Sequence, residues 1–217
     1  MIPARMGSQR LTKKNLQKIK GTTLISHAIR KCVKAGCFDE IWVNSEHPDF
    51  GEIAQSEGVH FHQRPASLGN SVATSEQYVA EFLEKNRCDT LFQVHSIAPL
   101  LTAEDVVKFV KKMESSSFDT LLSCDNIQIE CVYGSKPVNF NFDEKSNSQD
   151  LEPIQRVNWA ISAWKRGQFL EAFRSGKCAT YSGDVGFHSL STLTSHIIKT
   201  KEDLLLAEKL FDLVFSE

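Results

Sequence analysis

Several quick routes to a function are closed by what the sequence lacks. There is no Cys-x-x-Cys pair. The six cysteines, Cys32, Cys37, Cys88, Cys124, Cys131 and Cys178, are scattered, and the first two stand five apart. That spacing excludes a zinc ribbon and a dithiol redox centre, and it predicts reduced, mostly buried thiols. No Gly-Lys-Ser/Thr follows a glycine at the interval of a P-loop. No apolar run reaches the roughly 18 residues needed to cross a bilayer. With no leader pattern at the start either, a cytoplasmic protein without a membrane partner is expected. Charge of one sign is not in excess: 25 Lys and Arg face 27 Asp and Glu, a net of −2. A general nucleic-acid binder would be markedly basic. Repeats and low-complexity tracts are absent as well. What remains is 217 residues, 41% hydrophobic, enough for a single domain with a sizeable core.

The informative stretch is the first. Met1-Ile2-Pro3-Ala4 is a short apolar start, and Arg5 to Asn15 is a small, polar, basic loop that precedes a helix-like stretch. Small residues such as Ala4, Gly7 and Ser8 let backbone N–H groups approach a phosphate. Arg5, Arg10 and Lys14 are spaced to close around its oxygens. Only Met1 to Ala4 are available for a first strand, which normally runs about five or six residues. Either that strand is clipped, or the start omits a few residues.

Further along, strand and helix signals alternate. Helical spacing is predicted over Leu24–Ala35, stopped by Gly36, then over 50–57, 72–85, 102–114, 165–175 and 201–215. Thr102 is the predicted cap of the fourth, with Glu104 and Asp105 in its first turn. Strands are predicted at 40–44, 59–62, 90–94, 119–123, 178–181 and 196–198, with hairpin-like segments from 127 to 142 and a polar loop from 143 to 150. Alternating βα units imply a mainly parallel sheet with helices on both faces, and ligands at the carboxyl ends of its strands. Arg5, Arg64 and Gln93 all sit near such ends.

The first loop resembles the signature of the cytidylyltransferases that activate sialic acid and related 2-keto-3-deoxy sugar acids, roughly I-P-A-R-x-G-S-x-R/G-[ILV]-x-x-K-N-L. Ile2, Pro3, Ala4, Arg5, Gly7, Ser8, Arg10, Leu11, Lys14, Asn15 and Leu16 fit it. The likeness continues through Gly21 to Ile25, Gly36 to Glu40, Arg64-Pro65-Ala66-Ser67-Leu68, Ala73-Thr74-Ser75 and Gln93 to Leu101. It implies a three-layer αβα, Rossmann-like nucleotide-diphospho-sugar transferase fold. It implies one domain over 1–217, with 127–160 as a small extended insert for dimerisation and the sugar site. Arg5, Lys14 and Asn15 would be the catalytic residues. Ala4, Arg5, Gly7, Ser8, Arg10, Lys14, Asn15, Arg64, Ala73, Ser75 and Gln93 would bind nucleotide. In the Glu152 to Ile161 block, Gln155, Arg156 and Asn158 would bind the acid. His95 is the one histidine at the cleft mouth, and a structural role for it is favoured over a catalytic one. CTP and a small sugar acid are the implied ligands, a homodimer the implied assembly, and surface glycans such as lipopolysaccharide the implied destination.

Two departures from the family pattern stand out. Trp159 replaces a glycine beside Asn158. Near the end, Ile197 and Lys199 occupy the two positions where relatives carry the aspartates that hold Mg²⁺. Mg²⁺ is expected from the resemblance, yet an isoleucine cannot ligate it and a lysine repels it. Three readings stay open on the sequence: a working synthetase with an altered metal site, a degenerate relative that binds nucleotide or a partner protein without turnover, and a nucleotidyltransferase for another sugar.

Overall fold

The computed structural model describes residues 1–215. Its elements run β1 (Ile2–Pro3), β2 (Lys18–Ile19), β3 (Thr22–Thr23), α1 (Leu24–Ala35), β4 (Trp42–Ser45), α2 (Asp49–Ser56), β5 (His60–Gln63), α3 (Ser75–Lys85), β6 (Thr90–Val94), α4 (Ala103–Glu114), β7 (Thr120–Ile127), β8 (Val132–Tyr133), β9 (Lys136–Pro137), β10 (Ile154–Lys165), α5 (Arg166–Arg174), β11 (Val185–Ser189) and α6 (Lys201–Phe215).

β5, β4 and β1 pair in parallel, and β6, β10, β7 and β11 form the next four strands. The Met1 ammonium donates to Phe92 O at 2.7 Å, and the Val94 N–H donates to Met1 O at 3.1 Å. That alternation is a parallel pairing of β1 with β6, and it joins the two groups into one twisted sheet. Within that sheet, among the described residues, only β10 runs antiparallel to its neighbours. Helices α1, α2 and α4 cover one face, where Ile25, Ile29, Phe50 and Phe109 are fully buried. Helices α3 and α5 cover the other, over Leu83, Trp164 and Phe169. This is the three-layer architecture that alternating units imply. α6 lies apart, closing a small core of Leu11, Ile19, Leu24 and Leu204 under the first loop.

Local chemistry explains most boundaries. The Thr23 side chain accepts from the Ser26 N–H to start α1, and Gly36 ends it at φ 62°. Thr102 and Asp105 form a capping box on α4.

Five expectations need correction. The stretch after the first loop is not helical: a single 3₁₀ turn at Lys14–Leu16 leads into the β2–β3 hairpin. α3 begins at Ser75 rather than Val72. Asn70 Oδ1 accepts from the Val72 and Ala73 N–H groups, both at 2.8 Å, and Thr74 then caps the helix. Side chains that capture backbone N–H groups delay the start of a helix beyond its apolar periodicity. Residues 178–181 form a turn, held by Thr180 N–H on Glu76 Oε1 (2.6 Å) and by Trp164 Nε1–H on Thr180 O (3.0 Å). The strand lies just beyond, at Val185–Ser189, parallel to β7. Residues 196–198 make one bridging bond, Ile198 N–H to Ile97 O at 2.8 Å, and no ladder. Finally, the 12-residue β10 occupies a block that carries no strand signal.

Candidate functional site

A cavity of about 340 Å³ opens at the carboxyl ends of β1, β5 and β6. The first loop forms one wall, the Arg64 to Ala73 segment another, and the turn after β6 the floor. Ala4, Arg5, Ser8, Arg10, Lys14, Asn15, Arg64 and Ala73 line it, as do Asn70, Tyr78, His95 and Ser96. Four cationic side chains therefore face it, and no carboxylate does.

Asn15 fastens the loop. Its side chain is buried, Nδ2 donates to Arg5 O at 2.9 Å, and Oδ1 accepts from Ser96 Oγ at 2.7 Å. Through Asn15 the loop is thereby tied to the β6 turn, Asn15 and Ser96 lying 81 residues apart in sequence. A second clamp comes from Glu46, just after β4. Its Oε1 accepts from the Met6 N–H at 2.9 Å, and its Oε2 accepts from Arg64 Nη2 at 3.1 Å. Gly69 is pressed so close to this carboxylate that any Cβ there would meet Glu46 Cγ at 2.4 Å.

Arg64 is only 4% exposed. Its Nη2 also donates to Ala4 O at 2.8 Å, its Nη1 to Asn44 Oδ1 at 3.0 Å, and its guanidinium lies 4.7 Å from the centroid of the Tyr78 ring. It knits three strand ends together beneath the cavity, and its Nε has no hydrogen-bond partner among the described residues. Burial lowers its pKa despite the Glu46 charge. Lys14 is half-buried, with Nζ on Ile198 O at 3.2 Å. Burial, then the like charges of Arg10 and Arg5, hold its pKa below the usual lysine value.

His95 Nε2 bonds Gln93 Oε1 at 2.8 Å. Burial, and next the nearby Lys14 charge, push its pKa down to about 4. It is neutral at pH 7. It orients Gln93 and is in the wrong state for a general acid.

Gln93 and Ser75 line a second, smaller cavity of about 130 Å³ together with Glu76, Val79, His95, Trp159, Trp164, Phe169 and Thr180. His95 is common to both cavities. Trp159 holds a left-handed backbone, φ 61°, inside a bulge of β10 between Val157 and Ser162. Ser123 Oγ fills that bulge: it accepts from the Ala160 and Ile161 N–H groups, each at 3.1 Å, and donates to Asn158 Oδ1 at 2.6 Å. A bulky residue rarely adopts this conformation, and a glycine adopts it freely.

The remaining expected residues lie elsewhere. Gly7 is exposed on the loop and does not line the cavity. Asn158 is buried behind the bulge with Nδ2 unpartnered. Arg156 pairs with Asp125 across the β10–β7 ladder at 2.8 Å, and Gln155 is exposed beside it; neither lines either of these two cavities. Glu46, Asn70, Tyr78 and Ser96 escaped sequence reasoning, because only the fold brings them to the loop. A wider cleft of about 1020 Å³, near Trp42, Arg87 and Glu114, opens at the opposite strand ends and mixes both charge signs.

A divalent metal does not fit these residues. Ile197 packs against the core and Lys199 is exposed. Among the described residues no three His, Cys, Asp or Glu side chains gather closely enough to hold an ion. No described helix is long and apolar enough to cross a membrane.

Fold and cavity together define the three-layer α/β class that seats its ligand at the carboxyl ends of a mainly parallel sheet. Within that class, residues 1–166 match the family model described as cytidylyltransferase, and the chain belongs to that family. N-acylneuraminate cytidylyltransferase A of Danio rerio is 25% identical over 173 residues, covering 78% of this chain and 40% of that protein. N-acylneuraminate cytidylyltransferase of Streptococcus agalactiae serotype V is 29% identical over 181 residues, covering 74% and 41%. The chain thus spans about two fifths of the length of these curated relatives. Among solved structures, CMP:2-keto-3-deoxy-manno-octonic acid synthetase complexed with CTP superposes with a TM-score of 0.73 at 17% identity, covering 98% of this chain and 97% of that one. A 4-diphosphocytidyl-2C-methyl-D-erythritol synthase from Anaerococcus prevotii does so at 0.70 and 12%, covering 97% and 96%. At these identities the likeness speaks for the fold.

Proposed function

We propose that the chain binds CTP in the cavity under the first loop and transfers CMP to a hydroxyl of a 2-keto-3-deoxy sugar acid, of the sialic, legionaminic, pseudaminic or Kdo type. One observation carries the reading. A loop bearing Arg5, Arg10 and Lys14 is fastened by Asn15 over a cavity with no carboxylate on its wall. Uncompensated cations converging on a preformed cavity call for a polyanion.

The acceptor oxygen attacks the α-phosphorus in line. The bond from that phosphorus to the bridging oxygen breaks, pyrophosphate leaves, and the acceptor proton passes to solvent. Charge builds on the leaving pyrophosphate, where the loop cations stabilise it. The base and ribose extend toward Arg64, Ala73 and Tyr78. Gln93, held by His95, then faces the acceptor, with Trp159 above it.

The sugar acid is the finer part of the proposal, and the names of the relatives and of the Kdo-type structural neighbour support it. The test incubates the protein with CTP and each of the four acids and follows pyrophosphate and the CMP adduct by mass spectrometry. A CMP adduct with one of them is expected. CTP that binds without pyrophosphate release from any of them would support binding without turnover, the reading that the poor fit to a metal favours.

A homodimer completes the proposal. Ile129, Val132, Tyr133, Val138 and Phe142 project from the segment between β7 and β10 and are each more than half exposed. Apolar side chains this exposed, close together in one short segment, suit a partner surface. A CTP-consuming reaction belongs in the cytoplasm, which is where we place it.

A further inference from the structure

The charge pattern at the cavity carries one more inference, which rests on the nucleotide reading above. Two carboxylates beside the loop, Glu46 and Asp203, are already engaged. Glu46 is turned to Met6 N–H and Arg64. Asp203 Oδ2 accepts from the Lys199 N–H at 2.8 Å, the Thr200 N–H at 2.8 Å and Thr200 Oγ1 at 2.9 Å, so it caps the start of α6. Ile197 offers only hydrocarbon. Lys14 Nζ is fixed on Ile198 O, one residue before Lys199, so the chain brings Lys199 to the same edge of the loop. Lys14 registers Arg10 and Arg5 as like charges, then Asp203 as an opposing one, then Lys199 as a like charge; Lys199 stands at the rim, outside the cavity lining.

A triphosphate carries close to four negative charges at neutral pH. Where a divalent cation serves, it needs anionic oxygen ligands from the protein, and this edge supplies several ammonium and guanidinium groups against the single capping carboxylate of Asp203. Those groups can bind the phosphate oxygens directly. Magnesium-bound nucleotide has lost about half its negative charge, and a magnesium ion would sit among like charges.

We propose that this chain takes its nucleotide as the metal-free polyanion, with Arg5, Arg10, Lys14 and Lys199 neutralising the phosphates that a divalent cation would otherwise cover. Excess Mg²⁺ then competes with the protein for CTP.

The experiment is calorimetric titration of the whole chain with CTP, once in EDTA and once in excess Mg²⁺. Binding is expected in EDTA, and it is expected to weaken when Mg²⁺ is present. Lys199→Met is expected to weaken binding in EDTA by about fivefold, within the range of an exposed ion pair. Lys199→Asp is expected to make Mg²⁺ favourable. Lys199 is exposed and its side chain has no described packing role, so the variants keep the wild-type melting curve. Binding that requires Mg²⁺ overturns this inference and leaves the nucleotide reading standing. Absence of binding in both media overturns the nucleotide reading and this inference with it. Unchanged EDTA affinity in Lys199→Met removes Lys199 from the cluster and overturns its part.

Discussion

At the scale of single residues, the site depends on a few buried polar groups that each serve two partners. Asn15 joins Arg5 O to Ser96 Oγ. Asn15→Ala leaves both unpaired, so it is expected to lower stability by about 2 kcal/mol and to abolish CTP binding. Urea unfolding and calorimetry on the same preparation check both halves. Glu46 joins the loop backbone to buried Arg64, and Glu46→Ala strands that guanidinium. A loss of about 3 kcal/mol is expected, measured as a shift of the urea midpoint. His95 gives a pH signature. Its free pKa is near 6.5, and in the fold it is about 4. The unfolded chain therefore binds this proton more tightly. Its contribution is fully present above about pH 6.5 and is lost as the pH falls toward 4, by at most about 3 kcal/mol. His27 and His188, also lowered by burial, act in the same direction. Comparing His95→Asn with wild type at pH 7 and pH 4.5 isolates the His95 share; equal pH losses in the two proteins would contradict it. The arginines, lysines and asparagine of the first loop could be read from the sequence, because they lie in one continuous stretch. Glu46 and Tyr78 could not, because their roles arise from contacts that the folded sheet creates.

At the scale of elements, legibility followed local chemistry. α1, β6 and α6 fall where periodicity and caps put them, since their signals are contained within each segment. β10 and β11 were invisible for a different reason. β10 is interrupted by a bulge, and its Asn158-Trp159 step breaks the alternation of a strand. β11 contains Gly186, which is needed where Phe118 packs so closely that a Cβ would come within 2.4 Å, and a glycine dilutes the strand signal. The bulge also holds Trp159 in its left-handed conformation. Trp159→Gly relieves a left-handed conformation worth about 1 kcal/mol and removes an indole that packs against Tyr181 at 6.3 Å between centroids. The two effects oppose each other, so the midpoint is expected to move little. The second cavity opens at the same time, so the variant is expected to accept a wider range of acceptors in the pyrophosphate assay. An unchanged acceptor profile would remove Trp159 from the acceptor site.

At the scale of the whole molecule, the sheet order was not readable, though its class was. Alternation of elements implies three layers, but the antiparallel insertion of β10 between β6 and β7 depends on long-range pairing that no local pattern encodes. That insertion nevertheless shapes the site, because it brings Trp159 and Ala160 beside His95; the His95 N–H donates to Ala160 O at 3.0 Å. The exposed segment between β7 and β10 belongs to this scale too. Sedimentation at micromolar concentration is expected to show a dimer, and Tyr133→Lys with Phe142→Lys is expected to dissociate it without loss of fold; a monomeric wild type would contradict the assembly. The central claim is that the cavity under the first loop is a cytidine-triphosphate site, and thermal unfolding with CTP, UTP, ATP and GTP, each with EDTA and with Mg²⁺, tests it most directly. CTP at about 100 times its dissociation constant adds about 2.7 kcal/mol, a rise of several degrees in a chain of this size. The account predicts that rise with CTP in EDTA and little with the other three. An equal rise with all four, or none with CTP, would contradict it.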